Sequence, residues 1–350
     1  MKFDYTPFLR PHLLDLKPYQ SARQEFKSNG TSMIFLDANE SPYPTAVNRY
    51  PDPLQLELKK AIAGWKEVAP SQIYLSNGSD EFIGQIIMGC CEPGKDRILI
   101  APPTFGMYKV AAALHGVGVR EVPLTKNFEL DVEGLLDQAD ASTKVLFIAN
   151  PNNPTANAFN PESLTRLIEN FPGMIVIDEA YSEFYDAPSF ITQLDKYPKL
   201  LVCQTFSKAQ GMAGARLGMA FGNADFISFL NQIKYPYNIN SLTLSEALKK
   251  IENQEVIIDQ VKSLIAERGH LVQALKSIKL VQKCYPSAAN FLLIQVDDAQ
   301  LRYKQLMEKG IVVRNTSKYL NCENTLRITV GLPEENQALI AALKRINELK

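Results

Sequence analysis

Lys208 follows an apolar run at residues 200–206 and one serine, Ser207. An amine held beside a low-dielectric cleft loses part of its affinity for protons and becomes both a nucleophile and a proton carrier. Thr205, Ser207 and Arg216 flank it with two hydroxyls and a guanidinium, donors suited to a phosphate dianion. Asp178 ends the run Met174-Ile175-Val176-Ile177, where a buried carboxylate needs a cation or hydrogen-bond donors. A protonated pyridine nitrogen would serve, and such a ring is an electron sink for a carbanion. Ser76-Asn77-Gly78-Ser79-Asp80-Glu81 lies between a strand pattern and a helix pattern, so free N–H groups and a positive helix end would face an anion there. The same stretch also suits an N-capped turn with Ser79 or Asp80 as cap, and it lacks the Lys-Ser/Thr end of a Walker loop. Taken singly, a lysine is most often a solvated charge and a strand-end aspartate most often caps a loop. Position and spacing carry the chemical reading here.

The elements that must position these residues follow from the pattern of apolar runs. Between residues 73 and 222 short apolar runs alternate with segments of helical period, the form of a mostly parallel sheet with crossover helices. The runs 73–75, 97–101, 119–122, 144–149, 174–178, 200–205 and 217–221 predict seven strands, and 80–91, 107–115, 161–170 and 224–233 predict helices. The last two strands are joined by a link of little helical character, which predicts an antiparallel final strand. After Tyr235-Pro236-Tyr237 a long helical region at 244–277 leads into strands at 289–296, 312–314 and 326–330 with helices at 298–309 and 333–349, a smaller α+β lobe. The expected fold class is therefore α/β: a large domain with a seven-stranded, mostly parallel sheet and a smaller α+β C-terminal domain. In an open α/β sheet ligands collect beyond the carboxyl ends of the strands, which is where the polar residues above stand.

Bulk properties exclude several other classes. The 350 residues carry a formal net charge of -1, without the basic excess that binding a phosphate backbone requires, so no nucleic-acid partner is expected. No uncharged stretch reaches the roughly 18 apolar residues of a membrane span, and residues 1–16 mix Asp4, Arg10, His12 and Asp15 among apolar positions, unlike a secretory signal. A cytoplasmic location without membrane contact is expected. The five cysteines form no Cys-x-x-Cys pair and, with three scattered histidines, offer no zinc spacing, so no metal is expected.

Taken in order, Gly78-Ser79-Asp80, Asn150-Pro151-Asn152-Asn153-Pro154-Thr155, Asp178-Glu179-Ala180-Tyr181, Ser207-Lys208 and Ala215-Arg216-Leu217-Gly218 resemble the fold-type I aminotransferases of classes I and II. The segments Leu16-Lys17-Pro18-Tyr19, Asp37-Ala38-Asn39-Glu40, Arg49-Tyr50-Pro51-Asp52-Pro53 and Leu326-Arg327-Ile328-Thr329-Val330-Gly331 narrow the resemblance to histidinol-phosphate aminotransferases, over nearly the whole chain.

The resemblance implies a pyridoxal 5'-phosphate cofactor and a role for each matched residue. Lys208 would be the Schiff-base lysine and proton shuttle, and Asp178 the partner of the ring nitrogen. Tyr181 and Asn153 would bond the phenolate oxygen, and Tyr108 would stack on the ring. Gly78, Ser79, Asp80, Thr205, Ser207 and Arg216 would surround the phosphate. Tyr50 would come from the partner subunit of a homodimer with composite sites. Arg314 and Arg327 would grip the anionic end of the substrate, with Tyr19 closing the pocket. Residues 1–44 would form an N-terminal arm and small-domain segment, 45–243 the large cofactor-binding domain and 244–350 the small domain. The implied reaction links L-histidinol phosphate and 2-oxoglutarate with imidazole-acetol phosphate and L-glutamate, a step of histidine biosynthesis. Alternatives are an aromatic amino acid aminotransferase, a threonine-phosphate decarboxylase, and a pyridoxal phosphate-binding protein without turnover. Two positions depart from the family pattern: Ala156 stands where glycine is usual, and Pro44 where glycine often follows Pro-Tyr, ahead of a short segment leading to Tyr50.

Overall fold

A computed structural model describes residues 3–17 and 34–348. Seven short strands, β1 (Ile73–Ser76), β2 (Arg97–Ile100), β3 (Gly118–Glu121), β4 (Thr143–Ala149), β5 (Met174–Asp178), β6 (Leu200–Thr205) and β7 (Gly218–Phe221), form one sheet in the order β1-β7-β6-β5-β4-β2-β3. β7 runs antiparallel to β1 and β6, and the other pairs are parallel. The reason is the connection: residues 206–217 hold a single 3-10 turn, Ala213–Ala215, in place of a crossover helix. The carboxyl ends of β1, β4, β5 and β6 and the start of β7 therefore share one edge.

The central strands are apolar along most of their length because both faces are covered. Val145 and Phe147 of β4 join Phe82, Ile83, Ile86 and Ile87 of α2 (Ser79–Cys90) in one core layer, at the three- and four-residue spacing of a helix face. Leu146 and Ile148 turn the other way, onto Leu164, Leu167 and Ile168 of α5 (Pro161–Asn170). Helices α1 (Leu56–Lys66), α3 (Met107–Leu114), α4 (Val132–Asp137) and α6 (Ala224–Ile233) complete this part of the chain. α1 and α4 were not anticipated from the sequence.

The expected long helical region is two helices, α7 (Ser241–Glu252) and α8 (Gln254–Lys276), broken at Asn253. A second sheet follows in the order β10-β11-β9-β8, wholly antiparallel, from β8 (Val281–Cys284), β9 (Phe291–Val296), β10 (Arg314–Asn315) and β11 (Thr325–Thr329). β8 escaped the sequence reading because it is a short, half-covered edge strand; its Lys283 is the kind of residue that keeps an edge from pairing further. Leu292 and Ile294 pack beneath α8, α9 (Ala299–Glu308) and α10 (Pro333–Glu348), whereas Leu293 joins the core of the large sheet. One face of the small sheet is thus turned toward the large one, and Arg327, in register with Leu293, lies on that face. Among the described residues no helix is long and apolar enough to cross a membrane.

Ala156 adopts the left-handed conformation, φ +66, at a cost of about 1–2 kcal/mol for a residue with a Cβ. Its buried methyl packs with Ala289 and Phe291, so the loop keeps the backbone that glycine would favour instead of bending away.

Candidate active site

The shared sheet edge opens on a cavity of about 140 Å³ whose lining includes Ser79, Asp80, Phe105, Asn153, Asp178, Tyr181, Thr205, Ser207, Lys208 and Arg216. Nine of the residues singled out from the sequence, Ser79, Asp80, Asn153, Asp178, Tyr181, Thr205, Ser207, Lys208 and Arg216, converge here.

One end is built for a doubly charged oxyanion. Gly78, at φ +78, precedes α2 with no side-chain cap on the helix, leaving first-turn N–H groups directed at the cavity. A Cβ at Gly78 would sit 2.5 Å from Nη2 of Arg216, and one at Gly218 would sit 2.5 Å from the Ser79 nitrogen, so both glycines are needed for the close approach of backbone and guanidinium. Arg216, itself left-handed at φ +56, reaches Asp80 Oδ2 at 3.3 Å and Ser207 Oγ at 3.5 Å. Thr205 Oγ1 donates to Ser207 Oγ at 3.0 Å. Hydroxyls, amides and guanidinium converge without a filling side chain, which fits a phosphate group.

At the other end Asp178 is only 5% exposed; Ala180 N–H donates to its Oδ1 at 3.1 Å and the Tyr108 hydroxyl to its Oδ2 at 2.8 Å. Burial pushes its carboxyl above the usual range, against the pull of those two donors. A protonated ring nitrogen at this position would supply the cation that the carboxylate lacks.

Lys208 Nζ lies 5.5 Å from the Tyr181 ring centre. Desolvation in the cleft first, then the Arg327 and Arg216 charges, lower its basicity below that of an ordinary lysine, with Asp178 and Asp80 opposing. Burial pushes the Tyr181 phenol up to about 12. Asn153 Nδ2 donates to the Tyr181 hydroxyl at 3.3 Å, and Arg327 Nη1 donates to Asn153 Oδ1 at 2.6 Å. The small sheet thereby reaches the lysine's surroundings through one amide.

Arg314 and Arg327 are directly opposite each other in the β10–β11 ladder and so project from the same face. Among the described residues neither guanidinium has a carboxylate within ion-pair distance.

Two expectations need correction or relocation. Tyr108 does not reach the cavity: it lies within the first turns of α3, fully buried, with its ring stacked on Phe147 at 4.9 Å and its hydroxyl on Asp178. Phe105, three residues earlier in the same motif and in the loop beyond β2, lines the cavity in its place. A signal existed in the sequence, since a residue ahead of the helix stays at the strand's carboxyl end while one inside the helix turns back onto the sheet. Tyr50, half exposed, lines a separate cavity of about 540 Å³ and stacks on Tyr237 at 4.5 Å, away from its own chain's Lys208. Glu40 anchors that segment, pairing with Arg49 at 2.7 Å and accepting from the Tyr50 N–H at 2.6 Å. Tyr19 lies outside the described residues.

Residues 34–343 match the family model for aminotransferase class I and II. The histidinol-phosphate aminotransferase of Flavobacterium johnsoniae is 46% identical over 346 residues, covering 99% of either chain. The solved structure of the enzyme of that name from Clostridium acetobutylicum superposes with a TM-score of 0.80 at 25% identity, covering 87% of this chain and 92% of its own. The Sinorhizobium meliloti structure of the same name, in complex with pyridoxal-5'-phosphate, shares the fold with a TM-score of 0.80 at 24% identity, covering 89% and 90%. With the motifs, the fold and the converged side chains in agreement, the chain belongs to the class I and II aminotransferases, among the relatives named histidinol-phosphate aminotransferase.

Proposed function

We propose that this chain is a pyridoxal 5'-phosphate-dependent aminotransferase interconverting L-histidinol phosphate plus 2-oxoglutarate with imidazole-acetol phosphate plus L-glutamate. The observation that carries the substrate side is the pair Arg314 and Arg327, two guanidiniums directly opposite on one sheet face, of which Arg327 acts on the lysine. Histidinol phosphate has no α-carboxylate, so the basic site must take a phosphate in one half-reaction and a carboxylate in the other. A guanidinium fork matches both geometries where an ammonium does not.

Bound in the cleft, the cofactor would supply an aldehyde that receives the amino group and a ring that delocalises the charge left when the substrate loses a proton. The Gly78-Ser79-Asp80 amides, Thr205, Ser207 and Arg216 would hold its phosphate. Asp178 would face its ring nitrogen, Asn153 and Tyr181 its phenolate oxygen, and Phe105 one ring face. Lys208 would be the point of covalent attachment. Freed from that role, its Nζ is a base of lowered basicity that takes the proton from the substrate carbon bearing the amino group and returns it to the carbon that keeps the nitrogen. Residues 45–243 then form the cofactor-binding unit, 244–350 bring the two arginines over it, and 1–44 act as an arm.

The composite homodimer belongs to this reading. It is supported by Tyr50 standing outside its own cleft, in a cavity shared with exposed Val47 and Leu242.

Comparing kcat/KM for histidinol phosphate, glutamate and phenylalanine as amino donors tests the assignment. Histidinol phosphate is expected to lead. A clear preference for phenylalanine would replace it with the aromatic aminotransferase reading, and no absorbance change with any donor would leave a binding protein without turnover.

A further inference from the structure

Asn238 lies between α6 and α7, just after Tyr237, whose backbone is left-handed at φ +57. Its side-chain amide uses all of its ordinary hydrogen-bonding capacity. Nδ2 donates to the Leu75 carbonyl at 3.0 Å and to Glu81 Oε2 at 3.3 Å. Oδ1 accepts from Lys234 Nζ at 3.0 Å and from Gln55 Nε2 at 3.2 Å. The same two donors also meet at the Pro53 carbonyl, each at 2.8 Å, closing a square of four bonds around Pro53, Gln55, Lys234 and Asn238. The amide cannot be turned over, since that would set its NH2 against the Lys234 ammonium.

The two halves of this amide face different parts of the molecule. Toward one side, Glu81 Oε2 also accepts from the Asn77 N–H, so Asn238 fixes both the end of β1 and the carboxylate that clamps the first residue of the Asn77–Gly78–Ser79 turn. Toward the other side lies the Pro51–Asp52–Pro53 segment that follows Tyr50, whose ring stacks on neighbouring Tyr237.

We propose that Asn238 is a positioning residue for the cofactor's phosphate, locking the amide-bearing turn before α2 to the segment that carries Tyr50. Asn238 touches neither phosphate nor substrate and acts through Leu75, Glu81 and Asn77. The inference rests on the reading of that turn, with Arg216, as the phosphate site.

The test titrates apoprotein with pyridoxal phosphate and with pyridoxal, which lacks the phosphate, and follows the ratio of the two affinities. Asn238→Asp keeps acceptors for Lys234 and Gln55 but loses both donors toward the turn; Asn238→Ala loses everything. Either variant is expected to lower the ratio about tenfold, equivalent to about 1.4 kcal/mol, with pyridoxal affinity little changed. Equal losses for both ligands, or no loss, overturn the proposal. Should Asn238→Ala fail to fold, Asn238→Asp decides alone. Arg216→Ala is the control for the phosphate reading itself: if it leaves the ratio unchanged, that reading fails, whereas a collapsed ratio in Arg216→Ala with a normal one in the Asn238 variants removes only Asn238.

Discussion

The Tyr108 hydroxyl donates to Asp178 Oδ2 at 2.8 Å from a position with no solvent exposure. Burial first, and the neighbouring carboxylate second, hold the phenol well above its ordinary pKa, so it stays a donor across the working range of pH. The bond orients the Asp178 carboxylate and lowers its proton affinity against the effect of burial. Tyr108→Phe keeps the stack on Phe147 and removes only this bond. A hydrogen bond to a charged group contributes about 1.5–3 kcal/mol, so kcat/KM is expected to fall about ten- to a hundredfold. Unchanged kinetics, and an unchanged pH titration of the bound cofactor's absorbance, would show that Asp178 is held without Tyr108.

Asp178 also sets the stability of the cofactor-free protein. Its folded pKa is raised above the ordinary carboxylate value mainly by burial. A group raised on folding stabilises fully below its unfolded pKa, and that contribution is lost as pH rises through the folded value. At neutral pH the ionised carboxylate is therefore a burden on the apoprotein. Asp178→Asn apoprotein is expected to unfold at a higher temperature than wild type near pH 7, with the gap closing as pH falls through the raised folded value toward the ordinary carboxylate pKa of about 3.9. With cofactor bound the order should reverse, and the variant's turnover should drop steeply because a neutral amide cannot balance a ring cation. Identical melting curves for the two apoproteins at pH 7 would contradict the account.

The Lys208 side chain has no hydrogen bond or ion pair among the described residues; its backbone carbonyl, which accepts from the Gly211 N–H at 3.1 Å, is kept in any substitution, so the fold does not depend on the amine. Lys208→Ala is expected to melt within about 0.5 kcal/mol of wild type while activity falls by at least about a hundred- to ten-thousandfold, the range for a lost proton-transfer group. The variant should retain pyridoxal phosphate through the phosphate site. Borohydride reduction followed by mass spectrometry should fix cofactor to wild type at Lys208 and leave the variant unlabelled; a labelled variant would move the attachment point elsewhere.

Tyr50 tests the composite site. Tyr50→Phe and Lys208→Ala subunits, each impaired alone, are mixed and allowed to exchange. A site that takes Lys208 from one chain and Tyr50 from the other leaves every mixed dimer one wild-type site, so activity should rise above the average of the two parents. No rise would return Tyr50 to a structural role against Tyr237.

Much of this was legible in the sequence because the determinants are local. β5 and β6 match their predicted bounds since strands covered on both faces are continuous apolar runs, and Asp178 and Lys208 stand where those runs stop. The antiparallel β7 was legible from the lack of a helix ahead of it. Long-range relations were not. β8 has only one well-covered neighbour, and three of the four contacts of Asn238 join positions 157 to 183 residues apart in sequence. The break at Asn253 sits between two helices of continuous apolar period, without the proline or glycine that marks most helix ends.

Arg314 and Arg327 provide the sharpest test of substrate choice. Like charges directly opposite on one sheet face destabilise a ladder, by about 0.2–1 kcal/mol on the scale of cross-strand pairs. A bare structural role would therefore gain from losing one of them. Arg327 has a neutral partner in Asn153 Oδ1 at 2.6 Å and lies 5.4 Å over the Phe291 ring, whereas Arg314 is exposed and free to swing onto a ligand. Removing Arg314 should thus leave the ligand-free protein as stable as wild type or slightly more so. Its effect should appear on the dianion: Arg314→Ala is expected to lower kcat/KM for histidinol phosphate about ten- to a hundredfold, the loss of one charge-assisted contact, and to leave phenylalanine nearly unaffected. Arg327→Lys keeps the charge but loses the fork, and with it the simultaneous grip on Asn153 and ligand, so both phosphate and carboxylate substrates should weaken. Inorganic phosphate adds a readout independent of turnover, since it should raise the melting temperature of wild type more than that of Arg314→Ala. If Arg314→Ala instead penalises every donor equally, the arginine acts through the sheet and not through the phosphate, and the assignment to a phosphorylated substrate loses its structural support.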